Sequence, residues 1–341
     1  MRVLAAMSGG VDSSVTAALL LDAGHDVVGA TMKLWGGPSD QGCCSVADVD
    51  DARRVCQQLG VAHHVFNFSD DFDAAVVTPY VEAHRAGATP NPCIECNRHL
   101  KFDRFLARAG QLGFDAVATG HHARVAEESG VWRLRRGADG AKDQSYVLHM
   151  LDQTTLPRVL LPVGDMTKGE VRALAHARRL RTAAKADSQD TCFLPATGGR
   201  AKFLGDRTTF TPGRIVDTSG RPAGEVAAVE LVTVGQRRGL GSGHGTPVYA
   251  VDVDVAAATV TVGTISDLRR ATQDVAAWVW VHEAPEVGTV VDAQTSAHGA
   301  PVTATFAGSG VVWESPQRRV APGQSVVLYN GDAVLGGGIA T

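Results

Sequence analysis

Ala6-Met7-Ser8-Gly9-Gly10-Val11-Asp12-Ser13-Ser14 sets two glycines and an aspartate among three serines near the start of the chain. Before it, Arg2-Val3-Leu4-Ala5-Ala6 is a short apolar run and predicts a buried strand. After it, Val15, Ala18, Leu19 and Leu21 recur at helical spacing until Gly24 stops the run. The glycines therefore stand between a strand and a helix. Such a turn gathers backbone N–H groups and the positive end of a helix dipole at one point, which suits a phosphate. Gly9 and Gly10 have no Cβ to keep a ligand away, and Ser8, Ser13 and Ser14 add hydroxyl donors. Asp12 could hold Mg²⁺ or cap the helix. The Gly-Lys-Ser/Thr ending of a Walker A loop is missing, so the phosphate loop is of another kind. An ordinary strand–turn–helix with Ser and Asp as N-caps uses the same turn chemistry and stays open at this point.

Outward from that loop, strand and helix patterns alternate. Val27–Met32, 62–68 and 115–120 read as strands, and 49–59, 73–86 and 168–180 as helices. This alternation predicts an α/β domain with a doubly wound parallel sheet, whose ligands sit beyond the carboxyl ends of the strands. Met7 to Ser13, Met32 and Gly120 to His122 all fall at such ends. His63 and His64 lie inside a strand and read as structural. From about Phe210 short β-type runs separated by Gly and Pro take over, and Asn330-Gly331 is a hairpin signal. The expected division is a catalytic domain over 1–205, a small β-rich domain over 206–272 and a β-barrel over 273–341.

The net charge of −4 excludes a generic polyanion binder, so any nucleic-acid site must be a local basic patch. Gly235-Gln236-Arg237-Arg238-Gly239 is either such a patch or a solvated turn. With no long apolar run and no leader pattern, a cytoplasmic protein without membrane contact is expected. Six cysteines are too few for a disulfide scaffold, so each is inert, catalytic or metal-binding. Cys93 and Cys96 stand in a proline-rich turn, Thr89-Pro90-Asn91-Pro92-Cys93-Ile94-Glu95-Cys96, with an extended segment expected before Cys93 and Cys96 near the start of a helix. A helix dipole at that point stabilises a thiolate. Cys192 lies in the polar stretch Asp187-Ser188-Gln189-Asp190-Thr191-Cys192-Phe193.

The loop SGGVDSS resembles that of the PP-loop ATPases, which activate a carbonyl or carboxyl group by adenylation. With it come TMKLW at 31–35, TPNPCIECNRHLKF at 89–102, ATGHHAR at 118–124, KDQSYVL at 142–148, DSQDTCF at 187–193 and TVGQRRGLG at 233–241. In this order, over nearly the whole chain, they are similar to the bacterial tRNA-specific 2-thiouridylases, the MnmA family. The resemblance implies ATP- and Mg²⁺-dependent 2-thiolation of a tRNA wobble uridine (U34), with AMP and pyrophosphate released. Sulfur would come from a cysteine persulfide charged by a donor such as a cysteine desulfurase or a sulfur-relay protein. It implies an ATP site at Ala6, Met7, Ser8, Gly9, Gly10, Val11, Asp12, Ser13, Met32 and Gly120. Cys96 and Cys192 would be the catalytic pair, closing a transient disulfide. Contacts to tRNA would come from Asn91, Pro92, Cys93, His121, Lys142, Asp143, Gln144, Ser296, Ala297 and Gln324, although Ser296 stands where relatives usually carry arginine. A [4Fe–4S] cluster on Cys93, Cys96 and Cys192 is the alternative mechanism. Another PP-loop ligase, or a non-enzymatic protein holding a metal on Cys93, Cys96 and a third ligand, remain as different readings.

Overall fold

The computed structural model describes residues 1–35, 45–187, 193–240 and 247–341. Strand β1 (Arg2–Ala6) is buried on both faces. Val3 and Ala5 pack with Ala17, Leu20, Ala52 and Val55 on one side, while Leu4 and Ala6 join Ile94, Leu100 and Phe105 on the other. Two-sided burial is why the strand reads as a continuous apolar run. Helix α1 (Val11–Asp22), β2 (Asp26–Lys33), α2 (Val46–Leu59) and β3 (His63–Asn67) follow. With β4 (Ala116–Ala118) and, further along, β7 (Val159–Leu160), the strands form an all-parallel sheet in the order β3-β2-β1-β4-β7. The doubly wound sheet expected from the sequence is therefore present. Cys56 is fully buried behind Gly29, and burial pushes its thiol up to about 11, which makes it inert.

Between β4 and β7 the chain makes a hairpin, β5 (Ala123–Glu128) and β6 (Val131–Arg136), that leaves this sheet. β6 pairs instead with the last strand of the chain, Arg135 lying opposite Ala333. The central unit is a four-stranded sheet ordered β10-β11-β8-β9, from β8 (Gly213–Asp217), β9 (Pro222–Val226), β10 (Tyr249–Asp254) and β11 (Thr259–Gly263). β9 is absent from the sequence reading because Pro222 and Gly224 break its pattern.

The C-terminal unit holds β12 (Arg269–Trp280), β13 (Val290–Gln294), β14 (Val302–Phe306), β15 (Gly310–Arg318), β16 (Ser325–Asn330) and β17 (Ala333–Ala340). Their order is β12-β15-β14-β13-β16-β17, and β12 pairs back onto β17, closing the expected barrel. The run Gly336-Gly337-Gly338 in β17 is a packing requirement. A Cβ at 336 or 338 would meet Trp280 or Trp278, whose rings stack 5.0 Å apart, and one at 337 would meet His149 of the first domain.

Two buried imidazoles bridge the units. His84 faces the Glu230 carbonyl of the central domain at 3.3 Å, and His149 lies between the Tyr146 carbonyl and Gly337 of the barrel. Burial pushes each down to about 4, with Arg200 adding to the effect at His84. A histidine whose folded value is depressed stabilises the fold above its unfolded value, and that stability is lost as pH falls toward the folded one. Unfolding free energy is accordingly expected to drop by about 2 kcal/mol or more between pH ~6.5 and ~4.5. Denaturant titrations across that window check it, and a double His84→Gln, His149→Gln variant should show a flatter profile.

Candidate active site

The turn between β1 and α1 is built as a cradle. Gly9 has φ +73°, and a Cβ there would collide with the backbone carbonyl of Asp48 at the start of α2. Gly10 is the helix N-cap and has no side chain to accept from the first-turn N–H groups. The first-turn N–H groups of α1 have no intrahelical acceptor and face the cradle. Ser13 Oγ accepts from the Ser8 backbone N–H at 3.3 Å and lies 3.2 Å from Ser8 Oγ. Ser13 Oγ and Ser14 Oγ donate to the Gly10 carbonyl, and Thr182 Oγ1 donates to Ser14 Oγ at 2.8 Å. Ala6, Met7 and Val11 are buried, so their side chains belong to the core. The Met7 carbonyl accepts from Thr31 Oγ1, which His63 supports at 2.9 Å from the edge strand. Thus His63 is structural and acts on the loop through one intermediary.

A Gly9→Ala variant combines positive φ with a backbone collision. It is expected to cost about 2 kcal/mol or more of stability and to lose nucleotide binding. Thermal unfolding with and without ATP measures both. The sequence suggests that a side chain there obstructs phosphate; the nearer obstacle is α2.

Asp12, second residue of α1, does not cap the helix. Its carboxylate accepts from Lys168 Nζ at 2.7 Å on both oxygens and from His122 Nε2 at 3.2 Å. Burial pushes this carboxyl up, but the bonds from His122 and Lys168 outweigh that and hold it below the usual carboxylate range. Lys168 Nζ also lies 3.1 Å from Asp187, which Lys142 Nζ (2.8 Å) and Arg172 Nη2 (2.5 Å) share. Burial again opposes ionisation of Asp187, and the bonds from Lys142 and Lys168 hold it far below the ordinary range. Lys185 closes the ring, donating to the Gly9 carbonyl at 2.9 Å and to Asp48 and Asp51. Gly120 completes the wall, since a Cβ there would stand 2.8 Å from the Asp12 carbonyl carbon and the Ser13 nitrogen. Met32 is buried at the end of β2.

The sequence places His122 at the carboxyl end of its strand without showing its partner, and gives Lys168 and Lys185 no site role. Lys168 opens the Lys168–Ala177 helix under a Thr167–Glu170 capping box. That box is legible; the direction of the lysine across 156 residues is not.

The cysteine helix runs without a break through Pro92–Glu95, Cys96–Arg104 and Phe105–Gln111, the middle stretch in π geometry. Pro92 takes the first helical position, where its missing N–H costs nothing, and the Asn91 side chain caps Cys93 N at 3.0 Å. The helix therefore begins one residue before Cys93, whereas an extended segment was expected up to it. Cys93 occupies the second helical position, nearest the dipole's positive end, and Cys96 is a turn further in and nearly buried. Three apart, the two thiols share a helix face. Cys192, Cys43 and Cys44 lie outside the described residues, so the Cys96–Cys192 pairing and the three-cysteine cluster do too. Phe193, next to Cys192, is buried among Trp35, Phe72, Tyr80 and Phe203. Among the described residues no three His, Cys, Asp or Glu side chains stand together so as to hold a metal, and His99 pairs with Glu95 at 3.2 Å.

His121 joins the two halves. Its Nδ1 lies 2.6 Å from Thr119 Oγ1 and its Nε2 3.4 Å from Lys101 Nζ on the cysteine helix. Burial, then the charge of Lys101, drives it well below its ordinary value, so the ring is neutral. The remaining expected tRNA residues are placed differently from one another. Lys142 is half-exposed on Asp187. Asp143 is a knot, accepting from the backbone N–H groups of Gly137 and Ser145, from Ser145 Oγ and from Arg136. The Gln144 side chain accepts from His122 N. Gln324 donates to the Thr89 carbonyl. Ser296 and Ala297 sit apart, their carbonyls held by Gln294, which Arg136 links to Asp143. Arg237 and Arg238 are exposed on a loop stiffened by Gln236, which bonds Thr233 N and the Arg238 carbonyl.

Comparison with known proteins decides the family. A tRNA-specific 2-thiouridylase MnmA of Chloroflexus aurantiacus is 46% identical over 99% of this chain and 97% of its own. The corresponding protein of Sorangium cellulosum is 47% identical over 99% and 91%. The chain belongs to the tRNA-specific 2-thiouridylase (MnmA) family. Three family models divide this 2-thiouridylase-family chain: a tRNA methyl transferase HUP domain over residues 1–196, a PRC-barrel domain over 201–264 and an aminomethyltransferase β-barrel domain over 271–340. The methyl transferase label of the models differs from the names of the full-length relatives. Likeness to solved structures is slight. The U34-tRNA thiolase NcsA of Methanococcus maripaludis with its [4Fe-4S] cluster matches at 18% identity and TM-score 0.38, over 60% of this chain and 63% of its own. That is too little for its ligand or chemistry to bear on an MnmA-family chain. Among the described residues no helix is long and apolar enough to cross a membrane.

Proposed function

We propose that the protein is the ATP-dependent tRNA-uridine 2-sulfurtransferase of its cell. It adenylates the C2 oxygen of a wobble uridine and replaces that oxygen with sulfur. The observation that carries this reading is the pairing of an anion cradle, ringed by Lys168, Lys142 and Lys185, with a two-cysteine helix tied to it through Lys101 and His121. Amide-forming ligases of the same loop type have no use for the paired thiols.

The first-turn N–H groups of α1 and the Ser8 and Ser13 hydroxyls bind and orient the ATP phosphates, so that the uridine oxygen attacks the α-phosphorus and pyrophosphate leaves. Asp12 is the carboxylate able to hold Mg²⁺, which would neutralise charge on the departing pyrophosphate. Lys168 stays beside it as a second cation. Sulfur arrives at Cys192 as a persulfide from a donor protein of the cysteine desulfurase or relay type. Its outer sulfur attacks C2. The Cys96 thiolate then attacks the Cys192 sulfur and breaks the S–S bond, leaving sulfur on C2 as AMP departs. The resulting Cys96–Cys192 disulfide takes two electrons from an external thiol before the next turnover. Asn91, Pro92 and Cys93 stand where the target base would meet the cysteine helix. His121, Lys142, Asp143, Gln144, Ser296, Ala297 and Gln324 contact the rest of the tRNA in this reading. A cluster on Cys93, Cys96 and Cys192 is the competing use of the same thiols.

The test is reconstitution. Purified protein with ATP, Mg²⁺, tRNA and a persulfide source is expected to form AMP, pyrophosphate and 2-thiouridine in equal amounts. AMP without thiouridine in the presence of every component would contradict the reading.

A further inference from the structure

The segment that leads into the cysteine helix belongs to the first domain by sequence, yet the other two domains hold it. Every polar atom of Thr89 is engaged outside its own domain. Its backbone N–H donates to the Pro322 carbonyl at 2.7 Å, and its carbonyl accepts from Gln324 Nε2, both on the barrel. Its hydroxyl donates to Thr233 Oγ1 of the central domain at 3.3 Å, and Arg200 Nη1 donates to that same oxygen at 3.3 Å. Gly323 fits between them with φ +89°. A Cβ there would stand 3.1 Å from Ala88 Cβ and Thr89 N and 3.2 Å from Pro90 N.

Four residues beyond Thr89 is Cys93, and little slack separates them. Pro90 and Pro92 fix their own φ, Asn91 caps Cys93, and the Ile94 N–H returns to the Asn91 carbonyl at 3.2 Å. Pro92 and Ile94 are buried. A displacement of Thr89 therefore passes along the chain to the turn bearing Cys93 and Cys96 instead of being absorbed.

We propose that Thr89 and Gly323 are positioning residues for sulfur transfer, through which the barrel and the central domain set the place of the Cys93–Cys96 turn relative to the anion cradle. The inference rests on the thiolation proposed above. Neither residue touches the cradle, so nucleotide binding does not depend on them. Thr89 and Gly323 act on where the turn from Asn91 to Cys96 stands.

The experiment uses the full chain with Thr89→Val, Thr89→Ser and Gly323→Ala. Valine removes the hydroxyl at nearly constant shape, serine restores it, and alanine at 323 pushes on the Thr89–Pro90 backbone. Thr89→Val and Gly323→Ala are expected to lower kcat about tenfold while ATP affinity stays within about twofold. Thr89→Ser should recover to within about twofold of wild type. Peptide-resolved alkylation by iodoacetamide should show the Cys93 rate changed about threefold or more in the first two variants only. Wild-type kcat and alkylation in both variants, a serine variant as impaired as the valine one, or a parallel fall in ATP affinity would each overturn the proposal. If wild-type protein made no thiouridine, the proposed function would fail, and the alkylation rates would still decide this inference.

Discussion

Asp12→Asn is expected to abolish adenylation, lowering AMP release by about a hundredfold or more, while the protein stays folded. Asparagine preserves the shape of the side chain and one acceptor oxygen, and removes the charge together with the second oxygen to which Lys168 donates. That charge offsets a lysine that is almost buried, and in the proposed mechanism it would also hold Mg²⁺. Alanine is the poorer probe, because it also removes the acceptor oxygen and the side-chain volume beside Lys168 and so confounds chemistry with stability. Since the Asp12 carboxyl is held below the ordinary range, it stays ionised throughout the pH range of an assay, and loss of activity in mildly acidic buffer is not its protonation. Quenched-flow or endpoint AMP measurement, beside thermal unfolding, checks the prediction. AMP release near wild type from folded Asp12→Asn would remove Asp12 from the mechanism.

Cys96→Ser is expected to eliminate 2-thiouridine, by about a thousandfold or more, with ATP and tRNA binding retained. Cys192→Ser should do the same. Cys93→Ser divides the two uses of the thiols. In the persulfide relay it keeps activity within about tenfold of wild type, because Cys93 forms no bond in the cycle. In the cluster alternative all three substitutions are equally damaging, and activity follows bound iron. Cys93 sits nearer the positive end of the helix than Cys96, so it is the more dipole-activated thiol of the pair. The relay nevertheless predicts that it is dispensable, which makes Cys93→Ser the informative variant. Anaerobic purification, iron analysis and thiouridine measurement on the same samples separate the cases. Inactive Cys93→Ser with wild-type activity rising in proportion to iron would replace the relay by the cluster.

What was legible in the sequence were features set by local chemistry. The strand–glycine–helix turn, the parallel sheet and the barrel strands follow from period and turn residues, and the Asn330-Gly331 signal is the turn between β16 and β17. Gly9 reads as a phosphate-facing glycine and Gly120 falls in the ATP site that the family resemblance implies, and both positions need glycine. The physical pressure, however, comes from Asp48 and from the first turn of α1. What was not legible were side-chain partners far apart in the chain. Lys168 reaches Asp12 across 156 residues, and Gln324 reaches Thr89 across 235. The β5–β6 hairpin offers no sign in its own residues that it pairs with β17. Asp143 enters from the sequence only as an implied tRNA contact, and its role as the acceptor that orders its own loop is not visible there. Such pairings depend on how whole domains meet, which no local pattern encodes.

The central claim is that the uridine C2 oxygen leaves on AMP. Transfer RNA carrying ¹⁸O at C2 of the wobble uridine tests it directly. Incubated with the protein, ATP, Mg²⁺ and a persulfide source, it is predicted to yield AMP with one ¹⁸O in its phosphate for each 2-thiouridine formed. Thiouridine accompanied by unlabelled AMP, or formed with no AMP at all, would contradict the account.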